Sequence, residues 1–227
     1  PWDNVQDMFS AMIEGSGMTF EELQDIGGQI YPDFEYRAHE KGLAREDQKP
    51  GFATMTGRIE LSSTLFDAWG LDPLPYYKEP RESPVSTPDV YEKYPLILTS
   101  GARHWASFHS EHRQIKRLRA LHPDCEVAMN PETGAKYGIE DGDMVWIENE
   151  LGKCQQRARF VPTLDPRVIN ADHGWWFPEE EAAAPHLFGV WKSNVNQLIP
   201  GVCGPTGFGA NIKANLCRIR KVKEGEQ

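Results

Sequence analysis

The residues best suited to chemistry in this chain lie in a loop that follows a short apolar run. The run 94–99 has the composition of a buried strand, and the loop 100–104 is polar and contains Gly101 and Arg103. A glycine lets the backbone approach a ligand closely, and an arginine offers paired hydrogen bonds to a phosphate. A buried strand that leads into such a loop therefore predicts an anion-binding site.

A basic segment continues from this loop. Its five basic residues stand against one acid, Glu111, and they are Arg103, Arg113, Lys116, Arg117 and Arg119. The apolar spacing predicts a helix over 110–121 with Ser110 as N-cap, and the N-terminus of such a helix favours an anion. Arg119, farther along that helix, is expected to matter little to the ligand. A solvated basic helix face is the alternative interpretation.

Composition limits the remaining possibilities. The 227 residues carry a formal net charge of −10, which argues against a general nucleic-acid binder. No apolar run approaches the roughly 20 residues of a membrane helix. The four cysteines include no CxxC pair, so the spacing indicates no zinc or iron–sulfur site in this chain. No signal peptide is visible, but the chain starts at Pro1, so localisation stays open between cytoplasm and periplasm.

The first 90 residues are expected to precede the main domain. Residues 1–50 are polar and predict two short helices, the second capped by Thr19, as part of an absent upstream domain. Residues 51–90 predict a strand pair (52–56 and 58–61), a helical turn over 63–69 and a linker. The stretch 72–88 holds five prolines, which is typical of an extended linker.

Residues 91–227 alternate short apolar segments with turns. Strands are predicted over 144–148, 156–161, 168–171 and 214–222, and Asn130-Pro131 predicts the start of a short helix. Many short strands with few helices favour a closed barrel.

Several motifs in order give a more specific resemblance. The segments are TMTGRIEL (54–61), GLDPLP (70–75), the loop 99–110, VAMNPE (127–132) and GIEDGD (138–143). Together they resemble the C-terminal dinucleotide-binding region of molybdopterin oxidoreductases, the dimethyl sulfoxide reductase superfamily. The resemblance covers about residues 51–222. It implies a mainly β fold with short helices, a double-psi β-barrel, after an N-terminal helical and extended segment.

The resemblance also implies a cofactor and its contacts. The domain would hold one pterin guanine dinucleotide of a molybdenum or tungsten bis(molybdopterin guanine dinucleotide) cofactor. The implied cofactor-binding residues are Thr99, Ser100, Gly101, Arg103, His104, Ser107, His109, Ser110, Asn130, Trp176, Asn196 and Lys213. Asn130 also reads as a helix cap. Trp175 and Trp176 would line a substrate funnel or stack on pterin, and core aromatics are the alternative.

No catalytic or metal-ligating residue is expected within this chain. The resemblance places the metal ligand, and any iron–sulfur cluster, in upstream domains of the same polypeptide. An iron–sulfur electron-transfer subunit is a possible further partner, whereas nucleic acid is not expected. Two alternatives remain: a non-catalytic nucleotide- or phosphate-binding barrel, and a protein-interaction barrel as in the N-terminal domains of some AAA ATPases.

Overall fold

The computed structural model describes residues 2–28, 34–204, 209 and 213–226. The chain divides into two compact units, residues 1–75 and residues 76–227. The division falls inside the segment 51–90 that the sequence assigns to a strand pair and linker. Residues 29–33 of the N-terminal segment lie outside the described residues.

The first unit contains three short helices. They are α1 (Val5–Met12), α2 (Phe20–Asp25) and α3 (Thr64–Ala68). Thr19 and Glu22 form a reciprocal capping box at the start of α2, as the sequence predicts. Among the described residues of this unit no large apolar side chain is buried, and Leu61 is 87% exposed. The unit therefore has no apolar core of its own in the described residues.

The strand pair predicted over 52–61 is wrong, because the structure has turns there. The guanidinium of Arg45 donates to the carbonyls of Phe52 and Thr54, and the backbone N–H of Gly57 donates to Thr54. These local bonds occupy carbonyl groups that a neighbouring strand would otherwise use. Gly57 has a φ of 71°, a conformation that suits a turn rather than a strand.

The second unit is a closed six-stranded barrel. Its strands are β1 (Leu96–Ser100), β2 (Glu126–Met129), β3 (Met144–Asn149), β4 (Gly152–Phe160), β5 (Val168–Ala171) and β6 (Asn215–Lys221). Their order around the barrel is β1-β5-β2-β4-β3-β6. The pairs β1–β5 and β2–β4 are parallel, and the other neighbours are antiparallel. The predicted fold class, mainly β with a closed barrel, is confirmed.

Short helices lie before the first strand of the barrel and in the connections between its strands. They are α4 (Pro88–Lys93), α5 (Lys116–Arg119), α6 (Pro131–Tyr137) and α7 (Val190–Ser193), with 3-10 turns at Leu187–Gly189 and Val195–Leu198. The sequence did not predict α4, which begins at the last proline of the linker. Leu98, Val127, Ile147 and Ile169 are fully buried in the interior, where alternate strand residues point inward. No helix in the described part of the chain has the length and hydropathy of a membrane-spanning segment.

Strand direction assigns each connecting loop to one end of the barrel. Because β1 and β5 are parallel, the loops after Ser100 and Ala171 leave at the same end, where these two residues are paired. Strand β2 runs antiparallel to β5, so it begins at that end and finishes at the other. We call the end that carries Ser100 and Ala171 the loop end of the barrel.

Candidate anion-binding site at the loop end of the barrel

The first three predicted residues, Thr99, Ser100 and Gly101, lie at the end of strand β1 and in the turn that follows it. The hydroxyl of Thr99 donates to the carbonyl of Ile169, 3.1 Å away, which ties β1 to β5. Ser100 is 4% exposed and closes the strand. Gly101 follows with a φ of 91°, a backbone conformation that L side chains rarely adopt. The chain therefore turns sharply where the predicted site begins.

Arg103 lies at the surface beyond this turn. Its guanidinium sits 4.8 Å from the centre of the Phe108 ring, a cation–π contact. Within the described residues its side chain makes no hydrogen bond or ion pair, so its donors are available to a ligand. This arrangement suits the predicted role in phosphate binding.

His104 belongs to a hydrogen-bonded cluster that the sequence does not reveal. Its Nε2 lies 2.5 Å from Oδ1 of Asp172, and Nε2 of His122 lies 2.8 Å from Oδ2 of the same carboxylate. The two imidazole rings stack at 3.9 Å with only 18° between their planes. The backbone N–H of Glu126 also donates to Asp172, at 2.9 Å. Asp172 thereby holds two loops and the start of β2 together.

The negative charge of Asp172 and the positive charge of His104 stabilise each other. Burial opposes ionisation of Asp172, but the hydrogen bonds from His104, His122 and the Glu126 backbone outweigh it and lower the pKa of Asp172 to about 2. The hydrogen bond to Asp172 raises the pKa of His104, and partial burial opposes that rise. The pair thus favours an ionised Asp172 beside a protonated His104.

The same three residues are close enough to be considered as metal ligands. Their ligand atoms lie within 4.8 Å of one another. However, a metal ion lies in the plane of each imidazole that binds it, along the nitrogen lone pair. Two nearly parallel stacked rings direct those lone pairs side by side rather than toward one point. The geometry matches two N–H donors on one carboxylate, and it does not match a chelated ion.

The helix predicted over 110–121 is mostly wrong. The structure has only α5, which begins at Lys116, and its N-cap position is Ile115. The carboxylate of Glu111 accepts from the backbone N–H groups of His109 and Ser110, and His112 has a φ of 70°. These contacts hold the chain in a turn, so Ser110 is not an N-cap and no helix dipole faces a ligand there.

Three further predicted residues, Ser107, His109 and Trp176, lie at this end of the barrel. Nδ1 of His109 lies 2.7 Å from Nε2 of His173. The indole N–H of Trp176 donates to the carbonyl of Ser110 at 2.5 Å, which links the two loops of the loop end. Ser107 is buried, and its hydroxyl has no hydrogen-bond partner among the described residues.

Trp175 lies behind these loops as a core aromatic. It is 1% exposed, and its indole nitrogen has no partner among the described residues. The guanidinium of Arg113 lies 4.3 Å from the centre of its ring, and that of Arg119 lies 5.0 Å away. Arg119 is therefore close to the centre of the loop end, contrary to the expectation from a continuous helix.

The remaining predicted residues divide between the two barrel ends. Asn130 caps α6: its Oδ1 accepts from the Glu132 backbone, and its Nδ2 donates to the carbonyls of Pro162 and Leu164. It follows β2, so it lies at the opposite end from Ser100. Lys213 precedes β6, which begins at the loop end, and is exposed. Asn196 is exposed and also lies at the loop end. It belongs to the 3-10 turn Val195–Leu198, whose Leu198 carbonyl accepts a hydrogen bond from the side chain of Asn149. Asn149 ends β3, which runs antiparallel to β6 and therefore finishes toward the loop end.

Sequence reasoning missed the residues that organise the site. Asp172, His122 and His173 were not candidates, and Arg113 appeared only as part of a basic segment. His122 and Asp172 are 50 positions apart and meet only because β2 and β5 are neighbours in the barrel. The polar run at the exit of β5, Asp172-His173-Gly174, is a local signal that could have found two of them.

Comparison with known proteins identifies the family of the barrel. Residues 96–216 match the family model of the molydopterin dinucleotide binding domain. The chain is 41% identical over 198 residues to a dopamine dehydroxylase of Eggerthella lenta, covering 85% of this chain and 19% of the relative. It is 32% identical to acetylene hydratase of Syntrophotalea acetylenica (80% and 24%) and 31% to dimethyl sulfoxide reductase DmsA of Escherichia coli (90% and 25%).

A solved structure supports the same fold. The structure of acetylene hydratase from Pelobacter acetylenicus superposes with a TM-score of 0.77 at 28% identity, covering 98% of this chain and 30% of that protein. The barrel is thus a double-psi β-barrel, and the chain belongs to the molybdopterin dinucleotide-binding domain family, in the dimethyl sulfoxide reductase superfamily of molybdopterin oxidoreductases. It spans about a fifth to a quarter of the length of the relatives named above.

Proposed function

We propose that this chain is the C-terminal cofactor-binding part of a longer molybdenum or tungsten enzyme. It holds one pterin guanine dinucleotide of a bis(molybdopterin guanine dinucleotide) at the loop end of the barrel. The observation that carries the proposal is the pairing of two loop exits, after Ser100 and Ala171, within the matched span 96–216. The loop after Ser100 carries the cations Arg103 and Arg113. The loop after Ala171 adds the indole N–H of Trp175, a donor without a partner among the described residues. A ligand with phosphates requires such cations and donors.

The residues fit such a group in three respects. Gly101, with its positive φ, keeps the first turn free of a side chain. Arg103 presents an unpaired guanidinium at the surface among the described residues. Arg113 is buried with two donor atoms that lack partners in the described structure, Nε and Nη1. When bound, the cofactor supplies the redox or hydration chemistry, and these side chains supply position and charge.

The metal ligand is proposed to come from an absent part of the polypeptide. The described residues contain one cluster of metal-ligating groups, and its stacked imidazoles do not converge on an ion. The first unit exposes large apolar side chains such as Leu61 and Phe34 (86% exposed), which upstream domains of the same chain would cover. An iron–sulfur electron-transfer subunit is a further proposed partner. The chain alone is expected to be inactive.

The test is the cofactor content of the longer natural protein that contains this sequence. After denaturation and oxidation, we expect a fluorescent pterin derivative and GMP to be released together with molybdenum or tungsten. Release of a pterin without GMP would contradict the dinucleotide. The absence of both pterin and GMP from a protein purified under anoxic conditions would contradict the proposal itself.

A further inference from the structure

The outer wall of the barrel at β3 and β4 carries a cavity that is not part of the loop-end site. Its volume is about 660 Å³, within the range of about 300–1,000 Å³ that is usual for small-molecule pockets. Trp146 and Gln155 line it from the two strands, and Trp191 and Gln197 line it from the segment that packs beside β4. No described residue assigned above to cofactor binding lines it. We call it the wall cavity.

Trp146 lines the wall cavity and holds an unused hydrogen-bond donor. Its neighbours along β3 point into the core, so its own side chain points out of the barrel, in one row with Gln155 of β4 and Arg220 of β6. The residue is 6% exposed, and its indole Nε1 is buried without a hydrogen-bond partner among the described residues. A buried indole N–H usually has a partner, because an unsatisfied donor costs free energy. The cavity therefore offers this donor to an acceptor on a ligand.

The outer wall around Trp146 has more positive than negative charge. Three cations stand against two carboxylates, namely Lys153, Arg218 and Arg220 against Glu148 and Glu226. Glu148 pairs with both arginines, and Glu226 accepts from Arg220 at 2.6 and 2.7 Å. The ammonium of Lys153 lies 3.9 Å from the centre of the Trp146 ring, and no carboxylate of the described residues pairs with it. One unpaired cation thus lines the cavity beside an aromatic ring.

The remaining lining of the wall cavity adds an aromatic surface and an amide. Trp191 is 56% exposed, and the side-chain amide of Gln197 donates to its carbonyl at 2.7 Å, which anchors its backbone. Lys192 also lines the cavity, but Glu180 pairs with its ammonium at 2.6 Å. The side-chain amide of Gln155 makes no hydrogen bond within the described part of the chain, so it can donate to a ligand. An exposed indole on an anchored backbone is a packing surface for a second ring.

We propose that the wall cavity binds an aromatic carboxylate. The ring of the ligand packs against Trp191, and its carboxylate pairs with Lys153 and accepts from the amide of Gln155. The side chain of Lys153 is exposed and lies on the Trp146 ring, so it can move toward the carboxylate and open the Trp146 indole N–H to an acceptor oxygen. One carboxylate balances the one unpaired cation, and an aromatic ring uses the apolar surface that an inorganic anion would leave bare. The site is independent of the pterin cofactor and of the function proposed above.

The test uses the 227-residue chain, whose barrel has its own buried core, with benzoate as the probe and benzamide as its neutral analogue. In NMR spectra, benzoate at millimolar concentration should shift the indole N–H resonances of Trp146 and Trp191 in a saturable manner. The resonance of Trp105 should stay in place, because Trp105 lies in the loop after β1 and does not line the cavity. Benzamide should bind about fivefold more weakly, the size of one exposed charge pair.

Two surface variants with matched controls test the individual contacts. Lys153→Met should weaken benzoate binding by about fivefold and leave benzamide binding unchanged. Lys136→Met is its control, because Lys136 is also exposed and lies 5.3 Å from an aromatic ring, that of Tyr137, and it should bind like the wild type. Trp191→Ala should abolish measurable binding, whereas Trp105→Ala, which removes an indole that is 83% exposed, should not change it.

The absence of a saturable shift with benzoate would overturn the proposal. Equal affinities for benzoate and benzamide, or an unchanged affinity in Lys153→Met, would overturn it as well. In the longer natural protein, calorimetry should show the same benzoate binding, again lost in Trp191→Ala. Binding to the 227-residue chain but not to the longer protein would contradict a ligand site and would indicate that a segment of the longer protein fills the cavity. None of these measurements depends on pterin or GMP content, so the proposed function is tested separately.

Discussion

The side-chain amide of Gln156 and the backbone of Asp172 form two reciprocal hydrogen bonds. Nε2 of Gln156 donates to the Asp172 carbonyl at 2.9 Å, and Oε1 accepts from the Asp172 N–H at 3.0 Å. Gln156 is fully buried in strand β4, and its amide also donates to the carbonyl of Ser193. The carboxylate that joins His104 and His122 is therefore fixed from inside the barrel.

Replacing Gln156 should destabilise the barrel through this contact. Gln156→Met keeps the side chain's approximate size but leaves the buried carbonyl of Asp172 without this donor and that of Ser193 with only the thiol of Cys125, 3.8 Å away. We expect a loss of about 2 kcal/mol or more in the free energy of unfolding, since an unsatisfied buried group costs about 1–3 kcal/mol. Urea denaturation measures this loss.

Gln155→Met is the matched control for that measurement. Gln155 is the preceding residue of the same strand, points to the outer face opposite Trp146, and is partly exposed. Its free energy of unfolding should stay within about 0.5 kcal/mol of the wild type. Equal losses in the two variants would show that the amide of Gln156 has no special role.

The Asp172 cluster predicts a dependence of stability on pH. The pKa of Asp172 is lowered to about 2 in the folded chain, below its usual value of about 3.9, so its contribution is present at neutral pH. That contribution is lost as the pH falls from about 4 toward 2. The pKa of His104 is raised, so its contribution is present below about pH 6.5 and is lost as the pH rises through the raised value.

Asp172→Asn should remove both effects. The difference in free energy of unfolding between wild type and variant should be largest near pH 5 to 6 and shrink toward acid, where Asp172 protonates. The His104 titration midpoint, followed by NMR, should fall in the variant. A stability difference that does not change with pH would contradict the ionised pair.

Asn130 is predicted to serve the fold rather than the cofactor. Asn130→Ala removes the N-cap of α6 and two bonds to the loop at Pro162 and Leu164, which should cost about 1–3 kcal/mol. Because Asn130 lies at the opposite end of the barrel, the pterin content per folded longer protein should not change. A folded variant depleted of pterin would restore Asn130 as a ligand contact.

The strands were predictable because their signals are local. The predicted segments 144–148, 156–161 and 168–171 are short and lie between turns, and each overlaps a strand, although β4 begins four residues earlier than predicted, at Gly152, and ends at Phe160. The apolar spacing over 110–121 predicted a helix that does not form over its first half. The carboxylate of Glu111 accepts hydrogen bonds from two backbone N–H groups, and the chain turns there instead. A short side-chain bond of this kind leaves no periodic pattern in the sequence.

Only part of the candidate site could be predicted from the sequence, for a related reason. The loop after β1 is a continuous run, so Gly101, Arg103 and His104 could be chosen from it. Asp172 and His122 become neighbours only through the register of β5 against β2, which the sequence does not specify. Residues brought together by barrel closure are therefore the ones that sequence reasoning omitted.

The most direct test of the account measures cofactor in the longer protein with a changed loop. Arg103→Ala with Gly101→Val should leave a folded protein that is depleted of pterin, GMP and metal, because the variant loses a phosphate donor and gains a side chain where the backbone has a positive φ. Arg117→Ala should retain the wild-type content. Cofactor content equal to that of the wild type in the double variant would show that this loop only connects strands and would contradict the proposed site.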